Sequence, residues 1–289
     1  MSAAGPLAAP AGGRGGNVPA AIKLLEGKSI IVMGAGSIAS GWSNGKASAV
    51  SYARAGARLV CVDQVAARAE EAAQLIAEEG GRAIALKADA TREEDVARVV
   101  AAAAGEFGRV DVLHNNVGVG GSMGTPDQIP LAAWQRELSI NLTSAYLGIR
   151  HAVPQMRKHG GGAIVNISSL LAVRFLKKPS VGYSAAKAGV EALTRACAAG
   201  YGRDNIRVNC IRIGFAETPL MELGLAARGL TPERKAEELA KSRAKVPLRG
   251  EHTDPFDVAA TAVFLASDQA RHITGAILNI DGGLECAPL

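Results

Sequence analysis

The fold class is indicated most directly by the stretch Ser29-Ile30-Ile31-Val32-Met33-Gly34-Ala35-Gly36. Its first five residues form a short, β-rich apolar run, which is typical of a buried strand. The glycines that follow let backbone N–H groups and the start of the next helix approach a pyrophosphate closely. A helical pattern then leads to Arg54-Ala55-Gly56-Ala57, which resembles the end of a first helix and its turn. The stretch therefore predicts a strand–turn–helix unit suited to a ligand that carries phosphates.

Short β-rich runs alternate with helical stretches along the rest of the chain. The further runs lie at residues 58–62, 83–87, 110–113, 163–167, 207–211 and 276–280, and the helical stretches include residues 66–79 and 92–106. With right-handed crossovers, such alternation gives a parallel, doubly wound sheet with helices on both faces. We expect a single α/β domain of the Rossmann type, with about seven strands and its ligand at their carboxyl ends.

The length and the composition suit one large domain. The 289 residues (29.6 kDa) are enough to bury a sizeable core, and we place the domain at residues 25–289. Residues 1–24 are rich in Ala, Gly and Pro and predict a disordered leader. A transit peptide, the alternative, would normally carry several arginines, and only Arg14 is present. No apolar stretch reaches the length of a membrane span, so no membrane association is expected.

The charge and the cysteines argue against two other classes of protein. The net charge of +5 comes from lysines and arginines spread along the chain, without the basic arm or interleaved aromatic residues of a nucleic-acid-binding protein. The four cysteines lack Cys-x-x-Cys or histidine-linked spacing, and Cys61 and Cys210 fall inside strand-like runs. We expect reduced cysteines, no metal site and a cytoplasmic protein.

Catalytic chemistry is indicated by Tyr183-Ser184-Ala185-Ala186-Lys187. On a helix, residues four apart share one face, so the lysine ammonium should lie beside the phenol. A nearby cation favours the phenolate and can bring its pKa, ordinarily about 10, toward the working pH. Ser169 ends a β-rich run fourteen residues before Tyr183, and Asn141 lies in a helical pattern further upstream. These side chains together are suited to acid/base catalysis.

These motifs occur in the order that is found in a known family. The chain also carries Gly34-Ala35-Gly36 after the first strand, Asn115-Asn116-Val117-Gly118 after another strand, and Asp281-Gly282-Gly283 near its end. Over about residues 25–285 it resembles the short-chain dehydrogenase/reductase family. The resemblance implies a catalytic tetrad without a metal ion, composed of Asn141, Ser169, Tyr183 and Lys187.

The resemblance also implies a role for each member of the tetrad. Tyr183 exchanges a proton with the substrate oxygen, and Ser169 donates a hydrogen bond to the same oxygen. Lys187 lowers the pKa of Tyr183 and binds the nicotinamide ribose, and Asn141 holds a water that links Lys187 to solvent. Ser168 is the alternative to Ser169, because the loop between serine and tyrosine is one residue longer than the commonest spacing of the family.

A nicotinamide dinucleotide is the cofactor that the resemblance implies. The candidate residues for binding it are Gly34, Ser37, Gly45, Asp63, Asp89, Asn115, Gly118, Tyr183, Lys187, Gly214 and Thr218. Gly45 aligns with the last glycine of the family motif, which leaves residues 37–44 as an enlarged loop with Ser43 in place of a middle glycine. NAD is favoured over NADP, because Asp63 can accept bonds from ribose hydroxyls and repels a 2′-phosphate. No Arg or Lys directly follows Asp63.

We therefore expect an NAD-dependent oxidoreductase that acts on a secondary alcohol or its ketone. The alternatives are a 3-oxoacyl-thioester reductase using NADPH and a non-catalytic dinucleotide-sensing protein. By resemblance, residues 218–250 form a lid over the substrate rather than a plain surface helix pair, and the protein is a homo-oligomer, either a dimer or a tetramer. Arg174, Lys177 and Lys178 lie near the expected substrate entrance, where their charges either attract an anionic substrate or are simply solvated.

Overall fold

The structure is a computed structural model that describes residues 23–175, 179–226 and 228–287. The expected leader, residues 1–24, lies outside this part of the chain except for its last two residues, and so do Lys177 and Lys178. Within the described residues, no helix is both long and apolar enough to cross a membrane.

A parallel sheet of seven strands forms the centre of the molecule. Its strands are β1 (Ser29–Met33), β2 (Arg58–Asp63), β3 (Arg82–Lys87), β4 (Val112–Asn115), β5 (Gly162–Ser169), β6 (Ile206–Ile213) and β7 (Ile277–Ile280). They lie in the order β3-β2-β1-β4-β5-β6-β7, and every neighbouring pair is parallel. The Rossmann-type α/β sheet predicted from the alternation of strands and helices is thereby confirmed.

Nine α-helices within the described residues connect and cover the strands. They are α1 (Asn44–Arg54), α2 (Ala66–Glu78), α3 (Glu93–Phe107), α4 (Leu131–Leu138), α5 (Ser144–Lys158), α6 (Val181–Tyr201), α7 (Pro219–Ala226), α8 (Pro232–Arg243) and α9 (Pro255–Ala266). The chain runs outward from β1 to β3 on one side and from β4 to β7 on the other, so the strand order reverses between β1 and β4. The carboxyl ends of these two strands border the crevice in which such sheets bind ligands.

Apolar side chains cover both faces of the sheet, as its continuous apolar strands require. On β1, Ile30 and Val32 belong to the layer that also contains side chains of α1 and α9. Ile31 and Met33 belong to the opposite layer, which contains side chains of α3 and α5. The two layers hold the sheet between the helices, so residues at the carboxyl ends of the strands have a rigid support.

The predicted strand positions agree with the structure within two residues, and the largest shift is at β4. This strand runs over Val112–Asn115 instead of residues 110–113. Asp111 directly precedes the strand, and its carboxylate accepts a hydrogen bond from Ser29 N (2.8 Å) at the amino end of β1. In the expected lid region, α7 and α8 each begin with a proline, a residue favoured in the first turn of a helix.

Candidate active site

The candidate catalytic side chains come from three elements that meet beside the crevice. Ser169 ends β5, which continues three residues beyond its last pair with β4. Tyr183 and Lys187 lie on the first two turns of α6, and Asn141 lies in a π-helical turn (Ser139–Thr143) between α4 and α5. Because β5 extends past its neighbour, it carries Ser169 toward the helix that holds the phenol.

Tyr183 is in contact with both of its expected partners. The hydroxyl of Ser169 lies near enough to the phenol to lower the pKa of Tyr183. Lys187 Nζ lies 5.7 Å from the centroid of the Tyr183 ring and donates a hydrogen bond to the Ile167 carbonyl oxygen (3.1 Å). Lys187 is only 3 % exposed. The ammonium is thus held below the phenol in a site largely closed to water.

Asn141 joins this group from the opposite side. Its Oδ1 accepts a hydrogen bond from Val119 N, and its Nδ2 donates one to the Glu137 carbonyl oxygen, both at 3.1 Å. A Cβ placed on Gly118 would lie 3.1 Å from Asn141 Oδ1 and 3.2 Å from Lys187 Nζ. The glycine therefore leaves open the space between the amide and the ammonium. The structure brings all four predicted catalytic side chains into one cluster.

Burial controls the ionisation of Tyr183 and Lys187. It raises the pKa of Tyr183, because the phenolate is poorly solvated, and the hydrogen bond with Ser169 partly offsets this. Burial lowers the pKa of Lys187 to about 8, because the ammonium is also poorly solvated. The expectation that Lys187 sets the pKa of Tyr183 is therefore too simple, since burial raises that pKa and Ser169 is the group that opposes the rise.

The two serines at the end of β5 have different surroundings, because successive strand residues point to opposite faces. Ser168 is buried, and its Oγ lies 3.1 Å from the Lys187 carbonyl oxygen and 2.9 Å from Glu191 Oε1. Ser169 contacts Tyr183 instead, and its Oγ accepts a hydrogen bond from Leu171 N at 3.3 Å. Of the two alternatives, the structure places Ser169 at the phenol and Ser168 behind the helix.

The sequence does not predict the buried ion pair behind α6. Arg212 Nε and Nη2 donate to the two carboxylate oxygens of Glu191, at 2.7 and 2.6 Å. Glu191 lies one turn after Lys187, and the bond between Ser168 and Glu191 connects the pair to β5. An arginine near the end of a largely apolar strand is the one signal in the sequence, and it does not name its partner.

Arg174 does not have either of the roles considered from sequence. Its guanidinium donates to the carbonyl oxygens of Leu284, Glu285 (2.9 Å) and Ala287 (2.8 Å). Arg212 Nη1 holds the same segment from the sheet side by donating to Glu285 Oε2 (2.7 Å). The loop after β5 is therefore fastened to the C-terminal segment, and Arg174 is neither a solvated charge nor free for an anionic substrate.

The turn after β1 shows the close packing expected of phosphate-binding glycines. Gly34 has a φ of 83°, in the region that favours glycine. Asn116 Nδ2 donates to the Gly34 carbonyl oxygen at 2.9 Å, and a Cβ placed on Gly45 would collide with that same oxygen. A glycine at position 45 therefore lets the first turn of α1 reach the turn after β1.

Two serine hydroxyls hold the enlarged loop. Ser37 Oγ donates to the Ala39 carbonyl oxygen and Ser43 Oγ to the Gly36 carbonyl oxygen, both at 2.7 Å. Ser43 Oγ also accepts a hydrogen bond from Lys46 N (3.0 Å) and so caps α1. The serine that stands in place of a middle glycine thus closes the loop and starts the helix.

Asp63 ends β2 at the edge of the crevice. Its Oδ1 accepts a hydrogen bond from Val65 N (2.9 Å), and its Oδ2 faces the glycine turn, since a Cβ on Gly36 would lie 2.6 Å from this oxygen. Arg68 on α2 places Nη1 4.0 Å from Asp63 Oδ1. This cation is not predicted from the sequence, because it lies in the first turn of α2 rather than directly after the strand.

Asn115 and Asp89 lie at strand ends along the same edge, with their side chains bonded inside the protein. Asn115 Nδ2 donates to Asn166 Oδ1 (2.9 Å), which ties β4 to β5. Asp89 Oδ1 accepts hydrogen bonds from Thr91 N (2.9 Å) and Thr91 Oγ1 (2.7 Å), just before α3. Both residues therefore shape the edge of the crevice through contacts within the chain.

Gly214 and Thr218 lie between β6 and the lid region. Gly214 N donates to the Ile280 carbonyl oxygen (3.0 Å), and a Cβ on Gly214 would lie 2.7 Å from Asp281 Cβ. Thr218 Oγ1 accepts a hydrogen bond from Met221 N (3.4 Å) at the start of α7. The loop is thus fastened to the end of β7 on one side and to the first lid helix on the other.

Comparison with known proteins assigns the chain to a family. A family model described as enoyl-(acyl carrier protein) reductase matches residues 38–285. A solved structure, a putative short-chain dehydrogenase/reductase from Burkholderia xenovorans, is 38% identical with a TM-score of 0.84, over 92% of this chain and 99% of that chain. The chain belongs to the short-chain dehydrogenase/reductase family. It is therefore an oxidoreductase of the alcohol dehydrogenase or ketoreductase type that uses a nicotinamide cofactor.

Other members of the family are similar over much of their length. D-threitol dehydrogenase of Mycolicibacterium smegmatis is 38% identical over 261 residues, 90% of this chain and 93% of the relative. The cis-4-hydroxycyclohexanecarboxylate dehydrogenase of Sinomonas cyclohexanicum is 41% identical over 181 residues, 63% of this chain and 68% of the relative. A structure of 7α-hydroxysteroid dehydrogenase complexed with NADH and 7-oxo glycochenodeoxycholic acid is 32% identical, with a TM-score of 0.80, over 91% of this chain and 96% of that chain.

Proposed function

We propose that this short-chain dehydrogenase/reductase is an NAD-dependent dehydrogenase of secondary alcohols, with reduction of the corresponding ketones as the reverse direction. The observation that carries the proposal is the phenol of Tyr183, which lies beside the hydroxyl of Ser169 and 5.7 Å from the buried ammonium of Lys187. A proton-exchanging hydroxyl, a hydrogen-bond donor and a cation converge there at the carboxyl edge of the sheet. This set suits proton exchange with an alcohol oxygen.

In this proposal each side chain acts on the proton or on the oxygen that carries it. Tyr183 Oη takes the proton of the substrate hydroxyl, and Ser169 Oγ donates a hydrogen bond to the substrate oxygen as its charge changes. The charge of Lys187 favours the phenolate against the effect of burial. Asn141 holds the loop after β4 beside Lys187 through two backbone hydrogen bonds, and we assign to it a water that links Lys187 to solvent.

The crevice fits a nicotinamide dinucleotide because glycines line it. A side chain at Gly45 would collide with the turn after β1, and one at Gly118 would fill the space beside Lys187. The turn after β1 and the start of α1 would hold the pyrophosphate, with Ser37 in the adjoining loop. When bound, the cofactor supplies the acceptor for the hydride of the alcohol carbon.

The two ends of the proposed cofactor site differ in their residues. Asp63 would hold the adenosine ribose, and Asp89 lies toward the adenine. At the other end, Lys187 and Tyr183 would hold the nicotinamide ribose, with Gly214, Thr218 and the sheet-linking Asn115 along the edge. These assignments rest on the positions of the residues along the carboxyl ends of β2 to β6.

We infer NAD rather than NADP from the carboxylate of Asp63. Its Oδ2 faces the glycine turn and can accept a hydrogen bond from a ribose hydroxyl, whereas a 2′-phosphate would bring negative charge against it. Arg68 weakens this preference, because a guanidinium 4.0 Å from Asp63 can also pair with a phosphate. The NADH in the related 7α-hydroxysteroid dehydrogenase structure supports the choice of NAD.

We propose a cyclic secondary alcohol or a diol as the class of substrate. Two relatives are named for a hydroxycyclohexanecarboxylate and for threitol. The segments that leave the cluster carry exposed apolar side chains, namely Met123 beyond β4, Phe175 beyond β5, and Leu220 and Leu223 on α7. Such side chains suit the apolar face of a ring. We therefore assign α7 and α8 to the substrate lid.

We also propose that the protein is a cytoplasmic homo-oligomer, either a dimer or a tetramer. The thiols of Cys61 and Cys210 are free and buried, which fits a reducing compartment. The long helices α5 and α6 offer the contact surface, and Tyr146 on α5 is exposed. Light scattering during size-exclusion chromatography measures the mass of the protein in solution. A monomer at micromolar concentration would contradict the proposed dimer or tetramer.

The test of the proposed reaction is a panel of alcohols with NAD and, separately, NADP. Cyclohexanol, a cyclohexanediol, threitol and a linear secondary alcohol are mixed with the protein while the absorbance of the reduced cofactor is followed. We expect reduction of NAD by at least one cyclic alcohol or diol. Tyr183→Phe should lose this activity by about 10²–10⁴-fold yet still bind NAD, because its hydroxyl acts on the substrate oxygen.

The same panel separates the alternatives. Activity in Tyr183→Phe within about twofold of the unchanged protein would contradict the role of the phenol. Oxidation of NADPH with a 3-oxoacyl thioester, and no activity with alcohols, would favour the thioester reductase. Tight binding of NAD without turnover of any substrate would favour the dinucleotide sensor.

A further inference from the structure

A buried carboxylate lies between the two helical segments that carry Asn141 and Tyr183. Glu137 on α4 is 2 % exposed. It precedes Asn141 by one turn, and its carbonyl oxygen accepts the hydrogen bond from Asn141 Nδ2. The roles proposed for the tetrad do not use this side chain. A buried carboxylate is costly unless its oxygens are bonded, so its partners reveal what it holds.

One oxygen of Glu137 fastens the loop after β4. Its Oε1 accepts a hydrogen bond from Ser122 N at 2.6 Å, a short distance typical of a carboxylate bonded to a backbone donor. The same loop contains Gly118, whose missing side chain leaves room for Asn141 and Lys187. The carboxylate therefore fixes the far end of a segment that begins at the catalytic cluster.

The other oxygen lies against the first turn of α6. Among the described residues, Glu137 Oε2 has no hydrogen-bond partner, and a Cβ placed on Gly182 would collide with it. A Cβ placed on Gly121 would lie 3.0 Å from this oxygen and 2.5 Å from Tyr183 Cβ. Gly121 thus lies between the carboxylate and the catalytic tyrosine.

The amino end of α6 gives this contact a physical basis. The first N–H groups of an α-helix have no partners within the helix, and the positive end of the helix dipole lies there. A carboxylate beside that end is therefore stabilised. Ser180, which precedes the helix, has a buried hydroxyl that lies close to Gly121 and likewise has no partner in the described part of the chain. The Glu137 carboxylate and the Ser180 hydroxyl thus both lie close to Gly121, which packs against Tyr183.

We propose that Glu137 is a positioning residue that holds the loop after β4 against the first turn of α6 and so sets the place of Tyr183 relative to Asn141. The inference rests on the proposed alcohol dehydrogenase function. Glu137 touches neither substrate nor cofactor, and it acts through the backbone of Ser122 and the start of the helix. A side chain at Gly182 would collide with the carboxylate, whereas one at Gly121 would meet Ser180 Oγ and Tyr183 Cβ first and the carboxylate at 3.0 Å.

The first test compares two substitutions of Glu137. Glu137→Ala removes both contacts and should lower kcat about tenfold or more, while the Kd for NAD, measured by calorimetry, stays within about twofold. Glu137→Gln keeps the shape and an acceptor for Ser122 N, so it should restore kcat to within about threefold of the unchanged protein. A residue that matters only for stability would change the melting temperature and leave kcat unchanged.

The second test uses the glycine that faces the carboxylate. Gly182→Ala should lower kcat in the unchanged background, because its Cβ collides with Glu137 Oε2, and should cost little more in the Glu137→Ala background. Gly200→Ala is the matched control on the same helix, since a Cβ at Gly200 would meet no atom of the described residues within 4 Å. It should leave kcat unchanged in both backgrounds.

Three results would overturn the inference. The first is an unchanged kcat in Glu137→Ala, and the second is an unchanged kcat in Gly182→Ala. The third is a double variant in which the two increases in activation free energy simply add. If Glu137→Ala does not fold, the kcat of Gly182→Ala alone still tests the inference. Failure of the proposed function is distinguishable, because the unchanged protein would then turn over no alcohol, whereas failure of this inference leaves an active enzyme that is indifferent to Glu137.

Discussion

The pKa of Tyr183 depends on single side chains, and Ser169 is the side chain that lowers it. Ser169→Ala should lower kcat by about 10²–10³-fold, because a hydrogen-bond donor to the substrate oxygen is lost. The hydrogen bond lowers the pKa of Tyr183, so its loss raises that pKa further. The rate of alcohol oxidation should therefore rise at higher pH than in the unchanged protein. The measurement is the dependence of kcat/KM on pH.

Ser168→Ala is the matched control for this substitution. It removes the same hydroxyl from the neighbouring residue but leaves the bond between Ser169 and Tyr183 in place. We expect a smaller loss of kcat and no upward shift of the pH profile. If the pH profile shifts upward in Ser168→Ala and not in Ser169→Ala, the catalytic serine is Ser168 instead of Ser169.

The choice of cofactor is also decided by single residues, Asp63 and Arg68. The unchanged protein should use NAD with a kcat/KM about tenfold or more above that for NADP, which corresponds to about 1.4 kcal/mol. Asp63→Asn should narrow this ratio, because the charge that repels the 2′-phosphate is removed. Arg68→Gln should widen it, because the nearby cation is lost. A preference of the unchanged protein for NADP would rule out the role given to Asp63 and favour the thioester reductase.

The sequence predicts some of these residues and not others, for physical reasons. Tyr183 and Lys187 follow from a spacing of four on one helix, which is a local property. The choice between Ser168 and Ser169 depends on which face of β5 meets α6, and this is set by packing across the sheet. Glu137 and Arg212 act on residues brought near only by the fold, so their partners have no fixed spacing in the chain.

At the scale of elements, Arg212 and Glu191 join α6 to the end of β6. The side chains of both are nearly buried, at 9% and 4% exposure. Arg212→Met would leave the Glu191 carboxylate without its cation, and the free energy of unfolding should fall by about 3–5 kcal/mol. Replacing both residues, as Arg212→Met with Glu191→Leu, should recover most of this loss, because the buried carboxylate is removed together with its cation. Glu285 also loses Arg212, but its side chain is 32% exposed.

Urea unfolding of the two variants and the unchanged protein tests this pair. The single variant should unfold at a clearly lower urea concentration, and the double variant should lie near the unchanged protein. Equal midpoints for the single and double variants would mean that the unpaired carboxylate is not the cause of the loss. The comparison also shows whether the fastening of α6 to β6 depends on charge or on packed volume.

Element positions were largely predictable because each depends on a local pattern. The apolar run over Ser29–Met33 coincides with β1, and the other strands lie within two residues of their predicted places. The enlarged loop after β1 is also visible from spacing. The closure of this loop by Ser43 cannot be predicted from spacing, because the same hydroxyl both caps α1 and donates to the Gly36 carbonyl oxygen. The π-helical turn at Asn141 has no local sequence signal.

At the scale of the whole molecule, the sheet order brings distant motifs to one edge. β1 and β4 are neighbours although α1, α2 and α3 separate them in the chain. The rules for right-handed crossovers and the reversal of strand order predict this crevice from the alternation of elements. The contacts of the C-terminal segment with Arg174 and Arg212 lie beyond those rules, since they depend on two side chains that reach across the surface of the sheet.

The centre of the sheet also makes the whole fold sensitive to acid. His114 on β4 is fully buried, and its Nδ1 lies 3.0 Å from the Tyr52 hydroxyl. Burial lowers the pKa of His114 to about 3, because the imidazolium would be unsolvated. The unfolded chain takes up this proton at about pH 6.5 and the folded chain does not. Between these two values, each fall of one pH unit should therefore cost about 1.4 kcal/mol of stability through this residue.

His114→Gln removes the titration while keeping a polar side chain for Tyr52. The free energy of unfolding in urea, measured at several pH values between neutral and mildly acidic, should fall less steeply in this variant than in the unchanged protein. Other groups also titrate in this range, so the difference between the two slopes isolates His114. His272→Gln is the matched control, because His272 is exposed, and it should keep the slope of the unchanged protein. Parallel slopes for all three proteins would mean that His114 does not cause the acid sensitivity.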